Sequence, residues 1–197
     1  MKPGLYFISA ILFLMICPLE LSALELSAGI RYGQSKLNAD YTDPGTSVSA
    51  DLALSLNSRV RVGFQFSRNM YQPLPACEIF GGNCSWEKDG EFNLSEYFFY
   101  IRVDSPHFGI IPAKGFLLFA PGYFRQYQNF AYSRCQDYSC ERRMFLREIE
   151  RMGFMVGVGV IFDDFKGLSI EFAPVFKGVD DILDHLDIYL GFRYSFS

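Results

Sequence analysis

The side chains that could carry acid–base or metal chemistry are few, because the 197 residues include only two histidines. His185 lies in the acidic stretch DDILDHLD at residues 180–187, whose carboxylates could orient an imidazole or bind a divalent cation. The stretch lacks the ligand spacing and the glycine of a defined calcium loop. We therefore predict a solvated loop that ends at a rim histidine, and we predict that His107, which follows Ser105 and Pro106, is a turn residue. No catalytic residue, metal site or cofactor is expected.

The N-terminus has the three parts of a secretory signal peptide. Lys2 supplies a positive charge, residues 5–17 form an apolar run, and Leu21-Ser22-Ala23 forms a small-residue cleavage site. These features predict a signal peptide at residues 1–23 and an exported domain at residues 24–197. A retained anchor and a lipoprotein modified at Cys17 are the alternatives.

Charge and composition narrow the class of partner. The net charge is −4 and the isoelectric point is near 5.2, which argues against a nucleic-acid-binding protein because such a protein carries a basic patch. Half of the residues are hydrophobic and 17% are aromatic, enough for one domain with an unusual aromatic content.

Strict alternation of apolar and polar residues predicts β-strands. In HLDIYLGFRYSFS, for example, the even-numbered residues are apolar and the odd-numbered ones include Asp187 and Arg193. Similar alternation occurs at residues 24–33, 47–57, 59–67 and 167–177, and less regularly at 92–104, 111–126 and 144–162. The pattern predicts eight strands, of which the one at 111–126 is expected to be bulged and to lose a ladder hydrogen bond at Pro121.

The links between these segments alternate between short and long, as in bacterial outer-membrane barrels with periplasmic turns and extracellular loops. On this pattern the chain resembles the small eight-stranded outer-membrane β-barrels, the group of the OmpA transmembrane domain, OmpX and the opacity-type proteins. The resemblance implies an all-β, antiparallel, up-and-down transmembrane barrel in the outer membrane. It also implies a monomer in contact with outer-membrane lipid and lipopolysaccharide, with a host or extracellular ligand at loops 72–91 and 127–143.

The charged residues on the polar face of the strands distinguish a membrane barrel from a soluble, lipocalin-like barrel. We assign to that face five acids and five arginines, but no lysine, whereas a solvated surface would use lysine freely. Arginine suits paired, buried carboxylates, so we predict a lumen filled by ion pairs. We expect Arg31 to meet Asp51 and Asp187, and Glu171 to face Arg193. The predicted lumen residues are Glu25, Asp51, Glu96, Glu171 and Asp187 with Arg31, Arg59, Arg61, Arg102 and Arg193.

The mature chain contains four cysteines, all in the long loops: Cys77, Cys84, Cys135 and Cys140. An even number of cysteines in an exported protein predicts disulfides, and three connectivities are open. We favour pairs within each loop, which leaves bridges between the two loops as the alternative.

These observations favour a non-enzymatic outer-membrane protein that presents disulfide-braced loops for adhesion, host-factor binding or envelope integrity. The resemblance also implies a second hypothesis, because some small outer-membrane barrels modify lipid A through a histidine with a nearby serine and acid. That hypothesis would require a nucleophile beside His185. A soluble, lipocalin-like carrier is the third.

Overall fold

The computed structural model describes residues 24–37, 44–71, 84–86, 91–109, 112–136, 139–178 and 185–196. The predicted signal peptide and Cys77 lie outside these ranges. The strands are β1 (Glu25–Leu37), β2 (Gly45–Ser55), β3 (Val60–Tyr71), β4 (Cys84–Trp86), β5 (Glu91–His107), β6 (Ala113–Gln136), β7 (Ser139–Phe165), β8 (Leu168–Gly178) and β9 (His185–Phe196).

Eight of these strands form a closed antiparallel barrel. Around the wall the order is β6-β5-β3-β2-β1-β9-β8-β7, and the pairing of β6 with β7 closes the cylinder. The first strand pairs with the last, with Leu26 opposite Phe196 at one end and Lys36 opposite Leu186 at the other. The predicted fold class is therefore confirmed. The short β4 pairs only with residues 132–134 of β6, beyond the eight-stranded wall.

The outward face of the wall is an apolar belt. Along β9, side chains alternate between buried and exposed, and the exposed ones include Leu186, Ile188, Leu190 and Phe192. On β7 the belt runs from Phe162 to Met152, a rise of about 25 Å along the axis for a strand tilted by about 40°. That height matches the apolar band of an outer-membrane barrel. Among the residues that the structure describes, no helix is long and apolar enough to cross a membrane.

The interior is filled by two kinds of side chain. β1, β2 and β3 contribute mainly small polar residues, among them Ser27, Ser49 and Ser67. β5, β6 and β7 contribute a buried apolar cluster, which includes Phe98 and Phe124 in an edge-to-face contact. Small side chains on one half of the wall leave room for the large ones opposite, as the narrow bore of an eight-stranded barrel requires.

The outermost hairpin is longer than the sequence pattern predicts. We expected a loop at 127–143, but β6 continues to Gln136 and β7 begins at Ser139, with Cys135 directly opposite Cys140. This segment lies beyond the apolar belt, where neither lipid nor the lumen imposes an apolar–polar alternation. The sequence therefore does not mark it as a strand. Pro121 lies within β6, opposite Phe154. The expected bulge is not at this position, because the register shift between β5 and β6 falls between Asp104 and His107.

Candidate functional site

Glu171 is the centre of a buried cluster of charges in the barrel lumen. Its Oε1 accepts hydrogen bonds from Arg102 Nη1 at 2.5 Å and from Arg193 Nε at 2.8 Å. Its Oε2 lies 3.4 Å from the Nε of Arg31. These three arginines come from β5, β9 and β1, and the carboxylate comes from β8. One carboxylate thus links four strands that are far apart in sequence.

Asp51 on β2 binds two of the same arginines. Its Oδ2 lies 3.0 Å from Arg31 Nη2 and its Oδ1 lies 2.8 Å from Arg193 Nη1, while the Tyr100 hydroxyl donates a hydrogen bond of 2.8 Å to Oδ1. This packing depends on Gly63, because a Cβ there would lie 2.6 Å from Tyr100 Cζ and 2.5 Å from the backbone oxygen of Leu52.

Arg102 extends the cluster towards the periplasmic end. Its Nε donates a hydrogen bond of 2.7 Å to Asp104 Oδ1, and Arg61 Nε lies 3.7 Å from Asp104 Oδ2. The guanidinium of Arg102 also stacks over the ring of Phe116 at 4.4 Å. Asp104 is a lumen residue that the sequence analysis missed, although it shares the parity of Glu96 and Arg102.

A second buried cluster lies at the outer end of the lumen. Lys177 Nζ binds Glu96 Oε2 and lies 2.5 Å from Asp187 Oδ2. His185 Nε2 lies 2.8 Å from Glu96 Oε1 and 3.9 Å from Asp187 Oδ1. Asn69 donates a hydrogen bond of 2.9 Å to Glu96 Oε1. All five residues are buried.

The structure corrects several sequence-based placements. The expectation that the polar face carries no lysine is wrong, because Lys177 is fully buried in the lumen. Arg59 is exposed in the turn between β2 and β3, since the strand begins only at Val60. Glu25 is half-buried at the start of β1 and forms no ion pair within the described part of the chain.

One predicted contact and one predicted position also differ in the structure. Arg31 does meet Asp51, but its second carboxylate is that of Glu171, while Asp187 binds Lys177. The register explains the difference, because Asp187 is opposite Ser35, whereas Arg31 is opposite Gly191, whose other neighbour is Glu171. His185, expected at the rim, is 1% exposed and points inward.

The placement of His185 bears on the lipid-A hypothesis. Lipid acyl chains contact the outside of the wall, whereas His185 faces Glu96 and Asp187 inside it.

His107 lies at the other end of the barrel, with Nε2 at 3.2 Å from Asp163 Oδ1, and Lys114 Nζ lies 2.5 Å from Asp163 Oδ2. Burial alone would raise the pKa of Asp163, but the hydrogen bonds from Lys114 and His107 outweigh it and lower that pKa.

The outer hairpin, defined here as residues 125–136 of β6 and 139–150 of β7, is the largest feature above the apolar belt. Arg125 binds Glu148 and lies 3.8 Å from Glu150 Oε1 on its outward face. Met144 and Leu146 on the same face are 76% and 69% exposed. From Met152 to the tip, β7 rises about 30 Å if it keeps its tilt. Large apolar side chains exposed to water at this height mark a surface suited to binding.

One edge of the outer hairpin is open in the described structure. β8 last pairs with β7 at Phe154, so residues 139–153 of β7 pair with β6 alone among the described residues. An edge of this length with no second strand among the described residues offers backbone donors and acceptors to an added strand.

The backbone register bears on the cysteines. In an antiparallel ladder, opposite residues have Cα atoms about 4.5–5.5 Å apart, which lies within the range that a disulfide spans. Cys135 and Cys140 occupy such positions, and Cys84 is opposite Arg134, next to Cys135. This register suits a pair within the hairpin and also brings β4 close to it, so the disulfide pattern stays a prediction.

No protein-family model and no curated protein matches this sequence. Solved structures do match it. Ail, the attachment invasion locus protein of Yersinia pestis, in a complex with the heparin analogue sucrose octasulfate, superimposes with a TM-score of 0.56 at 14% identity, over 89% of this chain and 100% of that chain. Neisserial surface protein A gives 0.52 at 13% identity, over 89% and 98%. This is the fold of the small eight-stranded outer-membrane barrels. A major outer-membrane protein of Thermus thermophilus gives 0.51 at 11% identity, over 87% of this chain and 99% of that chain.

The chemistry of this outer-membrane barrel agrees with that fold. The outer face of its wall is apolar, as contact with lipid requires. The inner face is charged, and there Glu171 and Asp51 form buried ion pairs with arginines. A soluble barrel of the lipocalin type has the opposite arrangement, with an apolar cavity and a polar outer face. The predicted resemblance is confirmed at the level of the fold.

Proposed function

We propose that this outer-membrane barrel is a cell-surface recognition protein, in which the barrel serves as an anchor and the outer hairpin makes the contact. The observation that carries the proposal is the pair of exposed apolar side chains, Met144 and Leu146, on a hairpin that rises about 30 Å above the belt. A strand edge of this length can pair with another chain, so two large exposed apolar side chains on the same strand support a role in binding.

The filled lumen supports an anchor and argues against a transport role. The charge cluster around Glu171 occupies the middle of the lumen, and the cluster around Lys177 occupies its outer end. Fully buried aromatic side chains such as Phe98 also lie inside the barrel. We therefore propose that the barrel neither conducts solutes nor catalyses a reaction. It would function as a monomer held by lipid and lipopolysaccharide.

The charge of the outer hairpin indicates a class of partner. The chain is acidic overall, yet the outer hairpin contains five arginines and three acids. Arg147 is exposed, and Arg142 and Arg143 lie near the tip of β7. A locally basic, apolar surface suits adhesion to a host surface that displays acidic proteins or sulfated glycans. The complex of Ail with a heparin analogue is a precedent for a polyanionic ligand on this fold.

The proposal is tested by the adhesion of whole bacteria to host-cell monolayers. A strain that produces the wild-type protein should adhere better than a strain without it, and M144S/L146S should remove most of the gain. R147Q changes the opposite face of the same strand and tests the contribution of the basic contacts separately from that of the apolar ones. Wild-type adhesion by M144S/L146S and R147Q alike, with equal surface amounts confirmed by protease shaving, would contradict the proposal.

A further inference from the structure

The outer charge cluster contains a set of potential metal ligands. Glu96, His185 and Asp187 each offer one ligand atom, and these three atoms lie within 4.8 Å of one another. All three side chains are buried, with exposures of 5% or less. They come from β5 and β9, which lie on opposite sides of the lumen, so the fold and not a local sequence motif brings them together.

The ligand atoms are the ones that Lys177 leaves unused. Its ammonium binds Glu96 Oε2 and Asp187 Oδ2, so Glu96 Oε1 and Asp187 Oδ1 face His185. His185 Nε2 and Asp187 Oδ1 are fully buried and form no well-aligned hydrogen bond among the described residues, although Nε2 lies 2.8 Å from Glu96 Oε1. Buried polar atoms without partners are rare in native proteins and call for an explanation.

A proton on His185 would not satisfy these atoms. The Nε2–Oε1 separation of 2.8 Å is short enough for a hydrogen bond, but the contact lacks hydrogen-bond alignment. Asp187 Oδ1 lies 3.9 Å from the same nitrogen, which is too far for a proton on His185 to form a hydrogen bond with it. A metal ion binds in several directions at once. In a tetrahedral site with bonds of about 2.0–2.1 Å, neighbouring ligand atoms lie about 3.3 Å apart, between the two separations seen here.

The charges also favour a cation at this position. Glu96 and Asp187 bring two negative charges and Lys177 brings one positive charge, so the cluster has a net charge of −1 when His185 is neutral. A buried net charge is costly unless it is compensated. His185 is the first described residue of β9 and lies at the outer end of the lumen.

We propose that Glu96 Oε1, His185 Nε2 and Asp187 Oδ1 form a binding site for a first-row divalent metal ion, for which Zn²⁺ is the probe. One imidazole and two carboxylates form a donor set that such ions accept, whereas Ca²⁺ and Mg²⁺ prefer oxygen alone. Lys177 lies next to the site and repels a cation. Its removal should therefore tighten binding, a result that a purely structural salt bridge does not predict.

The experiment uses the full mature chain, refolded in detergent without a histidine tag and with its free thiols alkylated. Bound Zn²⁺ is measured by equilibrium dialysis, and Co²⁺ absorption reports the coordination. The variants are H185A, D187N and K177Q, and H107A, which removes the other histidine of the chain, is the matched control. Heat-modifiable gel mobility confirms that each variant is folded.

We expect the wild type and H107A to bind a single Zn²⁺ with equal affinity. H185A and D187N should each weaken binding by at least about 10-fold, and K177Q should strengthen it. D187N preserves the shape of the side chain, so it carries the test if H185A does not fold. The proposal is overturned if the wild type binds no Zn²⁺, or if H185A and D187N bind it as the wild type does.

Discussion

The substitution Glu171→Gln tests the energetic role of the lumen cluster most sharply. The side chain keeps its shape but loses the charge that binds Arg102 at 2.5 Å, Arg193 at 2.8 Å and Arg31 at 3.4 Å. It also places an amide group, itself a donor, among arginine donors. Glu171 is 1% exposed, so water does not replace the lost interaction.

The expected loss in the free energy of unfolding depends on how many buried charges lose their partner. Asp51 still binds two of the three arginines and Asp104 still binds Arg102, so the loss is that of one buried partner and not of three. Breaking a buried pair in this way costs about 3–5 kcal/mol. With a slope of about 2 kcal/mol/M, the urea midpoint of E171Q should fall by about 2 M.

The assay is reversible urea unfolding of the barrel in lipid vesicles, followed by the fluorescence of Trp86, the only tryptophan. The matched control is Glu150→Gln, because Glu150 is 55% exposed and lies 3.8 Å from Arg125. A surface pair of this kind contributes less than about 1 kcal/mol. The double variant E171Q/R193M should be less destabilised than the two single changes combined. If E171Q unfolds within about 1 kcal/mol of the wild type, as E150Q should, the reasoning is refuted.

Three further predictions concern other parts of the barrel. Gly63→Ala should destabilise the fold by about 1–3 kcal/mol in the same urea assay, because the new Cβ would overlap the oxygen of Leu52; wild-type stability would contradict this packing. Non-reducing peptide mapping should find a Cys135–Cys140 disulfide, and free thiols at both positions would exclude it. The stabilisation from ionised Asp163 is present at neutral pH and is lost as the pH falls through its lowered pKa, below 3.8, so D163N should flatten the acid limb of the stability profile. An unchanged acid limb would show that the contact with Lys114 adds no stability.

The fold could be predicted because lipid and a narrow lumen impose strict alternation on every strand that crosses the membrane. Residues 185–196 obey it without exception. The rule fails where its cause is missing. β6 up to Gln136 and β7 from Ser139 continue beyond the apolar belt, where Met144 and Leu146 are exposed. Neither lipid nor a lumen imposes alternation there, so the sequence predicts a loop at 127–143.

The lumen residues could be predicted better than their partners. Parity marks Lys177 and Asp104 as inward-facing residues, and both were missed because they lie at the ends of their segments. Arg59 shares the parity of Arg61 but lies in a turn. Contacts such as that of Arg31 with Glu171 depend on how far a side chain reaches across the bore, and neither parity nor neighbouring strand order contains that information.

We propose above all that the lumen of the barrel is filled and closed to solutes. Single-channel recording of the purified protein in a planar bilayer tests that claim most directly. The account predicts no steady conductance above the bilayer background, for the wild type and for E150Q alike, because side chains from all eight wall strands occupy the bore. A large, steady conductance from the folded wild-type barrel would contradict it.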